Sequence, residues 1–77
     1  MNLSDLKRGL RARVVAIHGE SDVVSRLHAL GVLPGSAVRH ANTAPLGDPV
    51  AYEVDGQKIG IRRADVACVE IEEEKQA

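Results

Sequence analysis

Aromatic residues are nearly missing from this 77-residue chain, which has one tyrosine, Tyr52, and neither phenylalanine nor tryptophan. The base-stacking sheet surface of RNA-recognition modules needs several exposed rings, so the sequence excludes that class. Charge is balanced, because 10 Lys and Arg face 11 Asp and Glu and the net charge is −1. Binding of nucleic acid through bulk positive charge is therefore not expected. A local basic patch stays open as an alternative, formed by five arginines: Arg8, Arg11, Arg13, Arg62 and Arg63.

Cysteine occurs once, as Cys68, which excludes an internal disulfide and a cysteine-rich zinc site. The three histidines, His18, His28 and His40, do not have the short spacing of a metal-binding motif. No apolar run approaches the ~20 residues that a membrane span needs, and no signal peptide is recognised. We therefore expect a domain of a reducing compartment, with no cofactor and no insertion into a membrane.

Motifs for catalysis and nucleotide binding are missing as well. The glycines form neither G-x-G-x-x-G nor a phosphate-binding loop with its lysine. Acidic residues fall in turns and near the end of the chain, where nothing would raise the pKa of a general acid. We predict that the chain is not an enzyme. A metal carrier or sensor stays open as an alternative, using side chains from this set: His18, His28, Cys68, Glu70, Glu72, Glu73 and Glu74.

One helix is predicted, over residues 21–30. Ser21 is its predicted N-cap, because a serine hydroxyl can accept a hydrogen bond from a free N–H of the first turn. Gly31 ends the helix in a left-handed conformation, which places Val32 so that it packs back onto Leu27. An apolar stripe at helical spacing faces the core: Val23, Val24, Leu27 and Leu30.

Three strands are predicted from apolar patterning, over residues 10–17, 36–43 and 67–71. Residues 14–17 are apolar at every position, which predicts that this end of the first strand is buried on both faces. The glutamate-rich segment from 72 to 77 is predicted to be a flexible acidic tail, since like charges repel one another.

A β-hairpin is the clearest local signal. The pair Asp55-Gly56 lies between two alternating segments, which predicts a two-residue type I′ turn. Apolar pairs then share one face, and a charge pair lies on the other. The turn fixes the register of four facing pairs: Val54 with Gln57, Glu53 with Lys58, Tyr52 with Ile59, and Val50 with Ile61.

The fold predicted from these elements is mainly β, in one domain spanning residues 1–77. About five short strands and one helix cannot fill two separate layers. A small sheet closed on itself, with the helix between the first two strands and covering one end, uses this material best. The core is then built from Val, Ile, Leu and Ala.

Two stiff loops, residues 30–35 and 44–49, present apolar side chains on backbones restrained by proline and glycine. The Pro-Gly pair in the first loop predicts a tight turn. Leu33 and Leu46 either complete a small core or form a docking patch for another protein. Docking is favoured where a loop is ordered beforehand, because little entropy is lost on binding.

These segments also carry a family likeness. Residues 26–35 read R-L-x-x-L-G-x-x-P-G, residues 45–49 read P-L-G-D-P, and residues 59–63 read I-G-I-R-R. Together with the opening L-S-D-L-K-R-G at residues 3–9, they resemble the ferrous iron transport protein A (FeoA) family. The resemblance covers residues 3–71. Gly60 is smaller than the apolar residue that the resemblance implies on its strand.

The resemblance implies an SH3-like small β-barrel in the bacterial cytoplasm. It also implies a partner, the membrane ferrous iron transporter FeoB, whose GTP-binding domain faces the same compartment. The expected function is to bind the cytoplasmic part of that transporter and to support or regulate iron uptake. Weak self-association through edge strands stays open. The residues expected to contact the partner lie on the helix and on the two proline loops: Val24, His28, Leu33, Pro34, Pro45, Leu46, Asp48 and Pro49.

Overall fold

The computed structural model describes residues 1–43 and 47–74. Five antiparallel strands form one sheet, and the main helix lies in the chain between the first and second strands. The predicted mainly β class, strand number and helix position are therefore confirmed. After a 3₁₀ turn at Leu3–Asp5, the elements are β1 Arg11–Ile17, α1 Ser21–Ala29, β2 Ala37–Thr43, β3 Val50–Val54, β4 Gln57–Ile61, α2 Arg63–Val66 and β5 Val69–Glu73. The strands lie in the sheet in the order β4-β3-β2-β1-β5.

The core is aliphatic apart from one ring. Alternation along β3 buries Val50, Tyr52 and Val54 and leaves the residues between them half-buried, as expected for a strand with one face on the core. Leu27 from α1 is fully buried against the same cluster. No helix of the described residues is long and apolar enough to cross a membrane.

The hairpin between β3 and β4 has the predicted turn and register, but not the predicted Glu53–Lys58 ion pair. All four predicted facing pairs are observed. Asp55 and Gly56 have φ angles of 49° and 88°, as a type I′ turn requires. On the outer face, Glu53 lies opposite Lys58 but makes its ion pair with Arg39 of β2.

The end of α1 is also as predicted. Gly31 has φ +91°, and its N–H donates to the carbonyl of His28 at 2.9 Å. The N–H of Val32 donates to the carbonyl of Leu27 at 3.0 Å, which completes a Schellman motif. Both Val32 and Leu27 are buried. The helix end is thus fixed by hydrogen bonds and packing together.

The start of α1 differs from its prediction. The N-cap is Glu20, with an extended backbone and no capping side chain, and Ser21 is already helical. The carbonyl of Glu20 accepts the N–H of Val24 at 3.0 Å, so the helical ladder begins one residue earlier than predicted. Gly19, with φ +122°, turns the chain into the helix at that point.

The predicted two-sided burial of residues 14–17 is wrong. The register between β1 and β5 shifts between Val14 and Ala16, so Val15 is the extra residue of a β-bulge. Its side chain is 45% exposed, whereas Val14 is buried. The bulge therefore places an apolar side chain on the outer surface.

The predicted boundary of the acidic tail is also wrong. β5 extends to Glu73, and Glu72 and Glu73 are paired with Arg13 and Ala12 of β1. Two residues assigned to the tail are therefore strand, held by the ladder to β1. The remainder of the predicted tail beyond residue 74 lies outside the described residues.

Tyr52 is the largest buried side chain. Its ring lies against the imidazole of His40, with 5.0 Å between ring centroids. Its hydroxyl donates to the carbonyl of Leu3 over a long 3.5 Å. Burial raises the pKa of Tyr52 to about 12, and the positive charge of Arg63 opposes part of that rise.

We expect the domain to lose stability at alkaline pH through this one phenol. The pKa of an unfolded tyrosine is about 10, so between the two pKa values the unfolded chain has released a proton that the folded chain still holds. The free energy of unfolding should therefore fall as pH rises, by about 1.4 kcal/mol at pH 11 relative to pH 9. Urea unfolding at several pH values measures this loss. Phenolate absorbance follows Tyr52 alone, because no other tyrosine or tryptophan is present.

The matched control is Tyr52→Phe, which removes the titrating group and keeps the ring. Its stability should fall less steeply between pH 10 and about 12. If the phenolate of the folded protein formed with an ordinary pKa near 10, the proposed cause of the stability loss would be wrong.

Candidate docking site

The turn that follows α1 is tightly braced. The N–H of Ser36 donates to the carbonyl of Leu33 at 2.9 Å, and Gly35 has φ +93°, as the predicted Pro-Gly turn requires. The buried hydroxyl of Ser36 accepts from the N–H of Leu33 and donates to the carbonyl of Gly31, each over 3.1 Å. One serine thus ties both ends of the segment together.

The same turn is fastened to β1. The N–H of Gly35 donates to the carbonyl of Val14 at 2.8 Å, and the N–H of Val14 donates to the carbonyl of Ser36 at 2.9 Å. A guanidinium nitrogen of Arg13 adds a third bond, 2.7 Å to the carbonyl of Gly35. These bonds set the turn beside the bulged residue Val15.

The result is an exposed group of apolar side chains on an ordered backbone. Leu33 and Val15 are each 45% exposed and Leu30 is 37% exposed, and Pro34 is exposed beside them in the turn. We call Val15, Leu30, Leu33 and Pro34 the apolar corner. For Leu33, the interpretation as a core residue is wrong. Exposed apolar groups on a preordered backbone suit protein docking.

The other predicted loop is held by α2. The backbone N–H of Arg63 donates to the Asp48 carboxylate at 3.0 Å, and its guanidinium donates to the carbonyl of Gly47 at 3.0 Å. Pro49 covers Gly60, where an added Cβ would lie 3.4 Å from the proline ring. The small residue on this strand therefore makes room for the proline. The predicted contact residues Pro45 and Leu46 lie outside the described residues.

α2 also holds the main helix. The Arg26 guanidinium of α1 donates to the Asp65 carboxylate through two nitrogens, at 3.1 and 3.3 Å. The Asp65 side chain is 8% exposed, and its hydrogen bond raises the pKa of Arg26. Two segments with predicted contact residues thus attach to the same four-residue helix. Asp48 and Pro49 are exposed on one of them; His28 is exposed and Val24 half-buried on α1.

The residues of the metal-carrier alternative are not gathered into a donor cluster. Two of these side chains are in contact, since the His18 imidazole lies 2.8 Å from the Glu70 carboxylate. Within residues 1–43 and 47–74, no group of three or more His, Cys, Asp or Glu side chains could hold a metal ion. The apolar corner is therefore the better supported candidate site.

Two members of the apolar corner, Val15 and Leu30, are not among the contact residues predicted from the sequence. Val15 was assigned to a strand end buried on both faces, and Leu30 to the core-facing stripe of the helix. For Val15, the sequence offers only the unbroken apolar run at residues 14–17. A bulge and burial on both faces produce the same run, so the run alone does not distinguish them. Leu30 is the C-cap residue, where the helical stripe no longer determines which side faces the core.

Comparison with protein families gives a clear match. The model of the FeoA domain matches residues 1–73. The Fe(2+) transport protein A/Fe(2+) transporter FeoB fusion protein of Porphyromonas gingivalis is 33% identical over 72 residues, which cover 94% of this chain. The chain spans only 8% of the length of that relative.

Solved structures agree with the fold. The FeoA protein of Chlorobium tepidum is 35% identical, with a TM-score of 0.83 over 92% of this chain and 68% of that protein. FeoA of Stenotrophomonas maltophilia in complex with zinc, described as a procaryotic SH3 domain protein, is 26% identical, with a TM-score of 0.80 over 100% of this chain and 99% of that one. The predicted SH3-like architecture is confirmed.

Proposed function

This chain belongs to the FeoA domain family, and on that premise we propose that it is an accessory protein of ferrous iron uptake that binds the cytoplasmic part of a FeoB-type membrane transporter. Its proposed place is the cytoplasm. The proposed action is binding that supports or regulates transport, and it needs no catalytic group on this chain.

The fusion relative carries this proposal. In the Porphyromonas gingivalis protein, the segment similar to this chain belongs to a polypeptide named for both Fe(2+) transport protein A and the transporter FeoB. A short flexible linker holds two fused modules at an effective concentration of about a millimolar, at which even a weak contact between them can form. Such a fusion favours a direct contact between the corresponding separate proteins.

We infer that the apolar corner supplies the contact on this chain. It combines the largest exposed apolar side chains near α1 with a turn braced at both ends, so binding costs little ordering entropy. His28 and Val24 on α1 extend this surface in the proposal, and Asp48 and Pro49 form its second part beyond α2. Leu33 is the central residue to test, because its side chain is exposed, whereas its backbone N–H and carbonyl hold the turn.

We expect Leu33→Asp to weaken binding to the purified cytoplasmic portion of a FeoB-type transporter by about tenfold or more, since it puts a charge into an apolar contact. Isothermal titration calorimetry with the full chain measures the affinity. The fold should persist, because the Leu33 side chain is 45% exposed. A thermal unfolding scan of the variant checks this.

The control for that variant is Gln57→Glu, which adds the same charge at an exposed position on edge strand β4. Its affinity should equal that of the original chain. Equal affinities for Leu33→Asp and Gln57→Glu would contradict the apolar corner as the contact. Absence of binding by the original chain at tens of micromolar would contradict the proposed partner.

A further inference from the structure

A row of charged side chains crosses one face of the sheet. Cross-strand pairing puts Arg11 of β1 opposite Arg39 of β2, Arg39 opposite Glu53 of β3, and Glu53 opposite Lys58 of β4. Facing residues of neighbouring antiparallel strands share one side of the sheet. The row therefore holds three cations and one carboxylate.

The positive charges of the two arginines in this row, Arg11 and Arg39, are not equally neutralised by nearby carboxylates. Arg39 forms an ion pair with Glu53, and the neighbouring Arg13 forms one with Glu74 at 3.0 Å. Arg11 has no ion pair with any residue in the described ranges 1–43 and 47–74, and it faces Arg39 directly. Like charges opposite each other on a sheet destabilise the pairing. An anion bound between Arg11 and Arg39 would offset the repulsion between their positive charges.

A shallow groove of about 250 Å³ lies at the same place. Arg11 and Arg39 line it, and the hairpin turn at Gly56 and the Glu74 side chain border it. We propose that this groove, the arginine groove, binds a carboxylate side chain of an acidic segment in a partner protein, held between the Arg11 and Arg39 guanidinium groups. Each guanidinium presents several N–H donors in one plane, which matches the two oxygens of a carboxylate.

The charges around the groove favour an acidic peptide over nucleic acid. Glu53, Asp55 and Glu74 are also among its lining residues, so the groove offers no continuous basic surface. A nucleic-acid backbone needs a continuous basic track for successive phosphates. A single carboxylate on a peptide fits a short basic site bounded by acidic residues, because the rest of the peptide need not be anionic.

The test titrates the full ¹⁵N-labelled chain with a capped tetraglutamate peptide at low ionic strength, where exposed charges are least screened. We expect saturable shifts of the backbone amides of Arg11, Arg39 and Gly56. Capped tetraglutamine should give no shifts. Arg11→Gln should weaken tetraglutamate binding by about tenfold, the value of a charge-assisted pair. The control Arg62→Gln removes an exposed arginine at the start of α2 and should leave binding unchanged.

Three results would overturn the proposal. The first is the lack of saturable shifts at about 10 mM tetraglutamate, a concentration that detects even very weak binding. The second is equal weakening by Arg11→Gln and Arg62→Gln, which would indicate attraction by overall charge. The third is tighter binding of a single-stranded oligonucleotide than of tetraglutamate at the same residues. The outcome is independent of the transporter-binding test, because no transporter is present.

Discussion

Replacing Leu27 by alanine is expected to lower the free energy of unfolding by about 3 kcal/mol. Leu27 is fully buried and packs in the same cluster as Val32, which follows the helix. The chain has a single ring in its core, so its remaining packing comes from small aliphatic side chains. A domain of this size has a total stability of about 4–12 kcal/mol. The substitution should therefore remove a large share of it.

Urea unfolding followed by circular dichroism measures the effect of Leu27→Ala, read as a lower midpoint with an unchanged slope. The control Ser25→Ala changes an exposed residue of the same helix and should alter stability by less than about 0.5 kcal/mol. A loss below about 1 kcal/mol for Leu27→Ala would show that α1 is not an integral part of the core.

Gly35→Val is expected to cost about 2 kcal/mol, because a β-branched residue resists a left-handed backbone. At φ +93°, an added Cβ would meet no heavy atom within 4 Å. The cost therefore comes from the backbone angle and not from a steric clash. Thermal or urea unfolding measures the loss of stability.

Gly35→Asn is the matched control, since asparagine tolerates positive φ better than valine does. It should recover at least half of the stability that valine loses, or about 1 kcal/mol. Unchanged stability in Gly35→Val would mean that the turn rearranges without cost. Equal losses in both variants would mean that a side chain of any kind is rejected there.

Features determined by neighbouring residues were predictable from sequence. The Asp55-Gly56 turn fixed the register of its hairpin, and Gly31 fixed the end of α1, because both depend on residues close in the chain. The start of α1 was not predictable in the same way. Glu20 takes the N-cap position without a side-chain hydrogen bond, so the usual capping preference gave no signal for it.

The candidate site was predictable in part, for a related reason. The stiff Pro-Gly turn pointed to Leu33 and Pro34 as candidate docking residues, and both are exposed. The exposure of Val15 depends on a bulge in the pairing of β1 with β5, two strands distant in sequence, and the arginine groove depends on the register between β1 and β2. Neither register follows from a local motif, so pairing between distant strands had to be seen directly.

The four residues of α2 have a mechanical consequence. One buried carboxylate, that of Asp65, grips the helix through Arg26, and one backbone N–H, that of Arg63, grips Asp48. While these bonds persist, a displacement of α1 is coupled through α2 to a displacement of the segment that contains Asp48. We therefore expect a partner that displaces one of these segments to displace the other as well, through a helix of only four residues.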